Sequence, residues 1–249
     1  MDPLPIKICG ITRREDALAA IRLGAGSIGF NLYPRSPRHV ARDRVAELLA
    51  DLPPVSKAAV CVHPSPEELK TILALDFDVV QIHAGNLPQL AGPLAEAGRP
   101  VILPFSVADP EDLDRARQTA EAWRAAGVNV CALLADAKVT GLYGGTGRTV
   151  AWQILKDQTW NWPLILAGGL KPENVAEAIR TVRPAAVDVA GGVERRPGIR
   201  DHRRREAWVA AARQALMDVH PALNRSADPQ PKTASKPAPG GKAGSPSRP

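Results

Sequence analysis

Short apolar segments alternate with longer helical segments eight times along this chain, and no other feature constrains its fold as strongly. The apolar segments are rich in Val and Ile, which is typical of parallel strands that are covered on both faces. The predicted strands are Ile6–Ile11, Ser27–Leu32, Ala58–Val62, Val79–His83, Val101–Phe105, Asn129–Leu134, Leu164–Ala167 and Ala186–Val189. The predicted helices are Arg14–Leu23, Asp43–Leu52, Pro66–Leu75, Leu87–Ala97, Pro110–Ala126, Val150–Asp157, Pro172–Val182 and His202–Val219.

Eight strand–helix units predict an α/β fold with a single (β/α)8 TIM barrel over residues 1–219. The alternative is an open, doubly wound sheet. Such a sheet normally carries a Gly-x-Gly-x-x-Gly turn after its first strand, whereas this chain has Cys9-Gly10-Ile11-Thr12 there. The barrel is therefore favoured, with Thr12 as a plausible N-cap of the first helix.

The last thirty residues, 220–249, have a different composition from the rest of the chain. They hold seven prolines, five Lys or Arg residues and one large apolar residue, Leu223. Such a segment cannot bury enough apolar surface to offset the entropy of ordering it. We therefore expect a disordered Pro/Lys-rich tail, and truncation after Val219 should leave folding and turnover almost unchanged.

Composition excludes several functional classes. The net charge is +6, but the tail supplies +4 of it, and aromatic residues make up only 4%, so a nucleic-acid surface is not expected. No apolar run reaches the length of a membrane span, and the N-terminus does not resemble a secretory signal. Three scattered cysteines form neither a disulfide framework nor a zinc motif. These features predict a cytoplasmic protein.

Polar side chains fall at the predicted C-terminal strand ends, where barrels of this kind build their active sites. Each has a structural and a functional interpretation. A cysteine can be inert packing, an aspartate can cap a loop, a histidine can sit in the core, and arginines can be solvated loop charges. The candidates left open in this way are Cys9, Arg35, Arg38, His83 and Asp136, and Gln81 lies beside His83 on predicted strand four.

Paired glycines follow the last two strands, as Gly168-Gly169 and Gly191-Gly192. Loops after strands seven and eight of such barrels often bind phosphate through backbone N–H groups, and glycine permits the close approach. Either pair alone would be an ordinary turn. Together, at the two correct strand ends, they predict a phosphate site.

Alternation along strand one places Lys7 on the same face as Cys9, inside the barrel. Closure of the barrel makes strand eight the neighbour of strand one. A buried lysine needs a partner of opposite charge, because an unpaired buried charge is very costly. We therefore predict that Lys7 pairs with Asp188.

Six motifs in register carry a family resemblance over about residues 5–210. They are Lys7-Ile-Cys-Gly-Ile-Thr12, Ser36-Pro-Arg38, Val80-Gln-Ile-His83, Tyr143-Gly-Gly-Thr-Gly147, Leu166-Ala-Gly-Gly-Leu170 with Pro172-Glu-Asn-Val175, and Val187-Asp-Val189 with Gly192-Val-Glu194. This set resembles the phosphoribosylanthranilate isomerase family of tryptophan biosynthesis. The resemblance implies an Amadori rearrangement of a phosphosugar, with no cofactor and no metal.

The resemblance also implies roles for single residues. Cys9 would be the general base, Asp136 the general acid, and Arg38 would bind the anthranilate carboxylate. The phosphate would lie on the loops after strands seven and eight. The remaining predicted substrate-binding residues are Gln81, His83, Gly144, Gly145, Gly168, Gly169, Ala190, Gly191 and Gly192.

One departure from the family falls in the site. The family usually has Ser-Ser-Gly after strand eight, where this chain has Ala190-Gly191-Gly192, so two hydroxyls are missing. Two rival functions also stay open. A related isomerase of histidine biosynthesis would be expected to place aspartates at strand ends one and six, which Cys9 argues against. A phospholigand-binding barrel without turnover is the other rival.

Overall fold

The computed structural model describes residues 4–84, 88–137 and 146–225. Eight parallel strands close into a barrel in sequence order, from β1 to β8 and back to β1. The strands are β1 Leu4–Cys9, β2 Ala25–Asn31, β3 Ser56–Val62, β4 Val79–His83, β5 Val101–Ser106, β6 Val130–Asp136, β7 Leu164–Ala167 and β8 Ala186–Val189. The predicted barrel is confirmed, and the open sheet is excluded by the pairing of β8 with β1.

Helices cover the outside of the barrel. They are α1 Arg14–Arg22, α2 Arg42–Leu49, α3 Pro66–Leu73, α4 Pro88–Ala97, α5 Glu111–Ala125, α6 Thr146–Leu155, α7 Val175–Val182, α8 His202–Val219 and α9 Ala222–Arg225. Between β8 and α8 the chain makes a 3₁₀ turn, Gly191–Val193, and a short antiparallel hairpin. The hairpin strands are β9 Glu194–Arg196 and β10 Ile199–Arg200.

Two details of the predicted elements were wrong. Thr12 does not cap α1, which has Arg13 at its N-cap without a side-chain cap. The Thr12 hydroxyl instead donates to the carbonyl of Gly198 at 2.6 Å and so holds the hairpin against the β1–α1 loop. Helix α7 begins at Val175 rather than at Pro172, because Asn174 Oδ1 accepts from the backbone N–H of Lys171 and closes a turn first.

The alternation of side chains along the strands separates two apolar regions. The larger lies between the barrel and the helices and contains residues such as Ile8, Phe30 and Trp208, all fully buried. The smaller fills the inside of the barrel with Ala58, Val79, Ile102, Ala132, Leu134, Ile165 and Ala167. This apolar floor leaves the C-terminal mouth of the barrel for polar groups.

The folded chain continues past Val219, where the sequence predicts the domain to end. A ring nitrogen of His220 lies 2.9 Å from the carbonyl oxygen of Pro184, and Leu223 of α9 packs against the core. Residues 226–249, the rest of the predicted tail, lie outside the described residues, so disorder there stays a prediction. Within the described ranges, no helix is long and apolar enough to cross a membrane.

We expect a chain that ends at Val219 to be less stable than one that ends at Arg225. The shorter chain loses the packing of Leu223 and the polar contact of His220, which together are worth about 1 kcal/mol. For a domain of this size that lowers the unfolding midpoint by roughly 2–4 °C. Thermal unfolding of both chains beside the full chain measures the difference. Equal midpoints for the two truncated chains would show that residues 220–225 add nothing.

Candidate active site

A cavity of about 470 Å³ opens at the C-terminal mouth of the barrel. It brings together every predicted site residue that the structure describes: Cys9, Arg38, Gln81, His83, Asp136, Gly168, Gly169, Ala190, Gly191 and Gly192. The predicted Gly144 and Gly145 fall in the segment 138–145, which lies outside the described residues. Arg35 lines a separate cavity of about 240 Å³, so of the two loop arginines Arg38 reaches the mouth.

Lys7 points into the barrel, and its predicted pairing with Asp188 is confirmed. Lys7 Nζ lies 3.1 Å from Asp188 Oδ1 and donates to Gln81 Oε1 at 2.9 Å. Only 3% of Lys7 is exposed. Burial disfavours the ammonium form, but the attraction of Asp188 and Cys9 outweighs it, so the pKa of Lys7 is raised. Lys7 is thus a permanent positive charge beneath the cavity.

Cys9 ends β1 and lines the same cavity one step above Lys7. Both side chains crowd over Gly29 of β2, where a Cβ would lie 2.9 Å from Cys9 Sγ and 3.3 Å from Lys7 Nζ. Burial raises the pKa of the Cys9 thiol, the charge of Lys7 lowers it, and the charge of Asp188 raises it. The net direction is upward, so the thiol is mostly protonated at neutral pH in the unliganded protein.

Gln81 connects Lys7 to His83 along β4. Its Oε1 accepts from Lys7, so its Nε2 faces His83 Nε2 at 3.0 Å. An amide nitrogen only donates, so the facing imidazole nitrogen must accept and carries no proton. Burial, together with the positive charge of Lys7, lowers the pKa of His83 to about 4. His83 is therefore neutral at pH 7, with its proton on Nδ1.

Asp136 ends β6 and reaches the cavity from another part of the ring. Its strand pairs with β5 and β7, where Asp136 is in register with Ser106 and Ala167. Two strands, β7 and β8, separate β6 from β1. The carboxyl of Asp136 and the thiol of Cys9 therefore enter one cavity from separate strands, as an acid and a base that flank a ligand require.

The loops after β7 and β8 meet at one end of the cavity. Gly168 and Gly169 have φ values of 84° and 62°, which favour glycine. A Cβ on Gly192 would lie 1.8 Å from the carbonyl oxygen of Leu170, so the two loops touch where only glycine fits. The first loop is also fixed by a bond from Asn174 Nδ2 to the Gly169 carbonyl at 3.2 Å. The backbone of both glycine loops lines this end of the cavity, where backbone N–H groups can bind an anion.

Arg38 is held by a residue that the sequence did not identify as part of the site. Its Nε and Nη2 donate to the two carboxylate oxygens of Glu194 at 2.8 and 2.6 Å. These hydrogen bonds raise the pKa of Arg38 further above its usual value. Glu194 ends the motif Gly192-Val-Glu194, and no local spacing links residues 156 positions apart.

The fold and its cavity define a (β/α)8-barrel enzyme, with a thiol, a carboxylate and a guanidinium at the mouth. Residues 6–210 match the family described as N-(5′-phosphoribosyl)anthranilate (PRA) isomerase. The chain belongs to this family of isomerases, as the sequence motifs predicted.

Individual relatives agree with this assignment. The chain is 40% identical over 206 residues to N-(5′-phosphoribosyl)anthranilate isomerase of Nitrosococcus oceani, an alignment that covers 82% of this chain and 95% of the relative. It is similar to the crystal structure of phosphoribosyl anthranilate isomerase from Thermotoga maritima, with a TM-score of 0.72 and 35% identity over 86% of this chain and all of the other. A second structure, of a phosphoribosyl anthranilate isomerase in complex with reduced 1-(o-carboxyphenylamino)-1-deoxyribulose 5-phosphate, has a TM-score of 0.70 and 32% identity, with 86% and 100% coverage.

We expect the His83 ring to stay neutral, as the Nδ1–H tautomer, until the pH falls towards about 4. An unfolded histidine takes up its proton near pH 6.5. The lowered pKa in the folded chain therefore costs stability as the pH drops from 6.5 towards 4. Nitrogen-15 NMR of the imidazoles, assigned through loss of the signal in His83→Asn, measures both proton position and titration. Titration near 6.5, or a proton on Nε2, would contradict the Lys7–Gln81–His83 chain.

Proposed function

We propose that this chain converts N-(5′-phosphoribosyl)anthranilate into 1-(2-carboxyphenylamino)-1-deoxyribulose 5-phosphate in tryptophan biosynthesis. The reaction is an aldose–ketose isomerisation within one molecule, an Amadori rearrangement by acid and base. The supporting observation is that one cavity holds Cys9, Asp136 and Arg38 beside the two glycine loops. Each chemical part of this substrate, a carboxylate, a sugar and a phosphate, then has a matching group.

Ring opening is the task of Asp136 in this proposal. Its carboxyl gives a proton to the ring oxygen of the ribose, and the bond between that oxygen and C1′ breaks. The electron pair of the broken bond stays on the oxygen, which becomes a hydroxyl. The anthranilate nitrogen supplies its lone pair to C1′, which forms a protonated imine, and Asp136 is left as a carboxylate.

Cys9 then acts as the base. Its thiolate takes the proton from C2′, and the electron pair of that C–H bond forms a double bond between C1′ and C2′. The positive charge on nitrogen is thereby neutralised, and the product of this step is an enol amine. Movement of the 2′ hydroxyl proton to C1′ gives the ketone, so substrate and product contain the same atoms. Cys9 then loses its proton to water and Asp136 regains one from water, which restores both groups for the next turnover.

The thiolate needed for this step forms beside Lys7. Burial raises the pKa of Cys9, and the ammonium of Lys7 is the cation that opposes this effect most strongly. Only the ionised fraction of the thiol can abstract the proton. The rate of the base step should therefore rise with pH above neutrality.

The two anionic ends of the substrate orient it across the mouth. Arg38 would bind the anthranilate carboxylate, because a guanidinium matches a carboxylate with two parallel hydrogen bonds. The phosphate would lie on the backbone amides of the loops at Gly168-Gly169 and Ala190–Gly192. His83 and Gln81, on the adjoining wall, would contact the sugar, with the Nδ1–H of His83 as a donor.

The substrate is a small phosphosugar, and neither nucleic acid nor a membrane is required. We place the reaction in the cytoplasm. All three cysteines are free, the state that a reducing compartment maintains. A buried, reduced Cys9 is also what the proposed base requires.

Turnover distinguishes this function from a barrel that only binds phosphoribosyl ligands. The anthranilate fluorescence of the substrate should fall when the purified chain is added, and the gene should restore growth without tryptophan in a strain that lacks this isomerase. A chain that binds the substrate without fluorescence loss, and that fails to restore growth, would show that the proposed function is wrong.

Cys9→Ser and Asp136→Asn should each lower kcat while binding of the reduced product is kept. The serine hydroxyl keeps the shape but holds its proton far more tightly, and the amide has no acidic proton to transfer. A single acid–base step is worth roughly 10²–10⁴-fold in rate. Near-normal kcat in Cys9→Ser would identify Cys9 as packing only. Affinity for the reduced product, measured by calorimetry, separates a chemical defect from a structural one.

The charges around Cys9 predict opposite pH effects for two substitutions. Lys7→Met removes the cation that lowers the pKa of Cys9, so the rising limb of kcat/KM should move to higher pH. Asp188→Asn removes the anion that raises it, so that limb should move to lower pH. Profiles of kcat/KM against pH for both variants and the wild type provide the measurement. Shifts in the same direction would mean that Cys9 is not the group that titrates.

A further inference from the structure

We propose that Glu194 is a positioning residue, which aims Arg38 at the substrate carboxylate. The proposal rests on the proposed function, in which Arg38 binds the anthranilate carboxylate. Glu194 begins the β9–β10 hairpin, on the side of the mouth where β8 meets β1. It touches no reacting atom in this scheme and would act through Arg38.

Two short hydrogen bonds fix the plane of the Arg38 guanidinium. Nε and Nη2 donate to Oε1 and Oε2 of Glu194, the side-on bidentate arrangement that gives such pairs their geometric specificity. Among the residues that the structure describes, no acceptor is found for Nη1. Arg38 lines the cavity and a quarter of its side chain is exposed. The Nη1 edge is thus the part of the guanidinium that a ligand can engage.

Glu194 stands between two arginines. Its Oε1 also lies 3.1 Å from Arg200 Nη1 and accepts from the backbone N–H of Gly198 at 3.1 Å. The side chains of Glu194 and Arg200 are 4% and 0% exposed, so water screens these charges poorly. One carboxylate between two guanidinium groups leaves a net charge of +1, which matches a single carboxylate on the ligand.

Arg200 connects the same carboxylate to the strand that carries the base. Its Nη1 donates to the carbonyl of Ala190 at 2.6 Å, and its Nη2 donates to the carbonyl of Cys9. Cys9 ends β1, and Ala190 directly follows β8. Glu194 therefore fixes Arg38 relative to the backbone of Cys9. The group that binds the carboxylate and the group that abstracts the proton thus keep a fixed position relative to each other.

The space around Arg38 leaves it one narrow passage. A Cβ on Gly10 would lie 2.5 Å from Arg38 Cδ and 3.3 Å from Arg200 Nη2. A Cβ on Gly191 would lie 3.2 Å from Arg38 Nη2. The Arg38 side chain thus runs between two glycines, and its guanidinium is bound by Glu194 at the far end.

A double-mutant cycle with two probes tests the proposal. The probes are the reduced product and the same compound without its carboxyl group, and the readout is the ratio of their dissociation constants. Glu194→Gln also removes a negative charge, which alone would strengthen binding of the carboxylated probe. Loss of the bidentate pair should outweigh this effect, because the amide nitrogen cannot accept from Arg38, and should lower the wild-type preference for the carboxylated probe about tenfold or more, equal to roughly 1.4 kcal/mol. In an Arg38→Met background, Glu194→Gln should change that preference by less than about twofold, the limit for independent sites.

A merely structural role for Glu194 gives a different pattern. Affinity for both probes would fall together, and it would also fall in the Arg38→Met background, which would overturn the proposal. Glu121→Gln, on the exposed face of α5, is the matched control and should change neither affinity. If Glu194→Gln does not fold, Arg38→Lys provides a second test of the proposal. Lysine keeps the positive charge but cannot form the bidentate pair with Glu194. Arg38→Lys should lose the preference as Arg38→Met does, and a wild-type preference in Arg38→Lys would contradict an aimed guanidinium.

The wild-type chain separates this proposal from the proposed function. If the wild type does not turn over the substrate, the proposed function fails. If it turns over the substrate and prefers the carboxylated probe, but Glu194→Gln keeps or increases that preference, only the role of Glu194 fails.

Discussion

The ion pair of Lys7 and Asp188 lies across the seam where β8 pairs with β1 and the barrel closes. A lysine inside a barrel is tolerated only when its charge is balanced, and the carboxylate that balances it comes from the last strand. The pairing of β8 with β1, which closes the barrel, therefore also brings Asp188 to Lys7 and balances its charge. The same ammonium reaches Gln81 on the opposite side of the barrel and lies beneath Cys9, so the electrostatics of the mouth depend on it.

A second set of charges supports this seam from the outside. Arg205 of α8 pairs with Asp16 of α1 at 3.1 Å, and both side chains are almost fully buried. Above them, Arg200 bonds to the carbonyls of Cys9, which ends β1, and Ala190, which directly follows β8. The segment between β8 and α8 thus connects the last strand of the barrel to the first. Groups that the chain order places far apart become neighbours there, which is why the site forms only in the closed barrel.

The sequence predicted the strands, because the alternation of side chains is visible in neighbouring residues. It also predicted the positions of most candidate site residues, because in a barrel of this kind the active site lies at the C-terminal ends of the strands. It also predicted the pairing of Lys7 with Asp188, since closure determines which strands are neighbours. It did not predict that Glu194 pairs with both Arg38 and Arg200, because those contacts depend on how a hairpin folds over the mouth. The contact of Thr12 with Gly198 was not predicted for the same reason. Helix α9 was not predicted either, because Leu223 is held by tertiary packing that the composition of the segment does not reveal.

A crystal structure of this chain with the reduced product bound would test the central claim most directly, because it locates all three parts of the ligand at once. We expect the phosphate on the amides of the loops after β7 and β8, and the carboxylate on Arg38 with Glu194 still paired to it. C2′ should lie next to Cys9 Sγ, and the oxygen that came from the ring should lie next to Asp136. A ligand with its phosphate at Arg38, or with C2′ turned away from Cys9, would contradict the assignment of acid, base and binding groups.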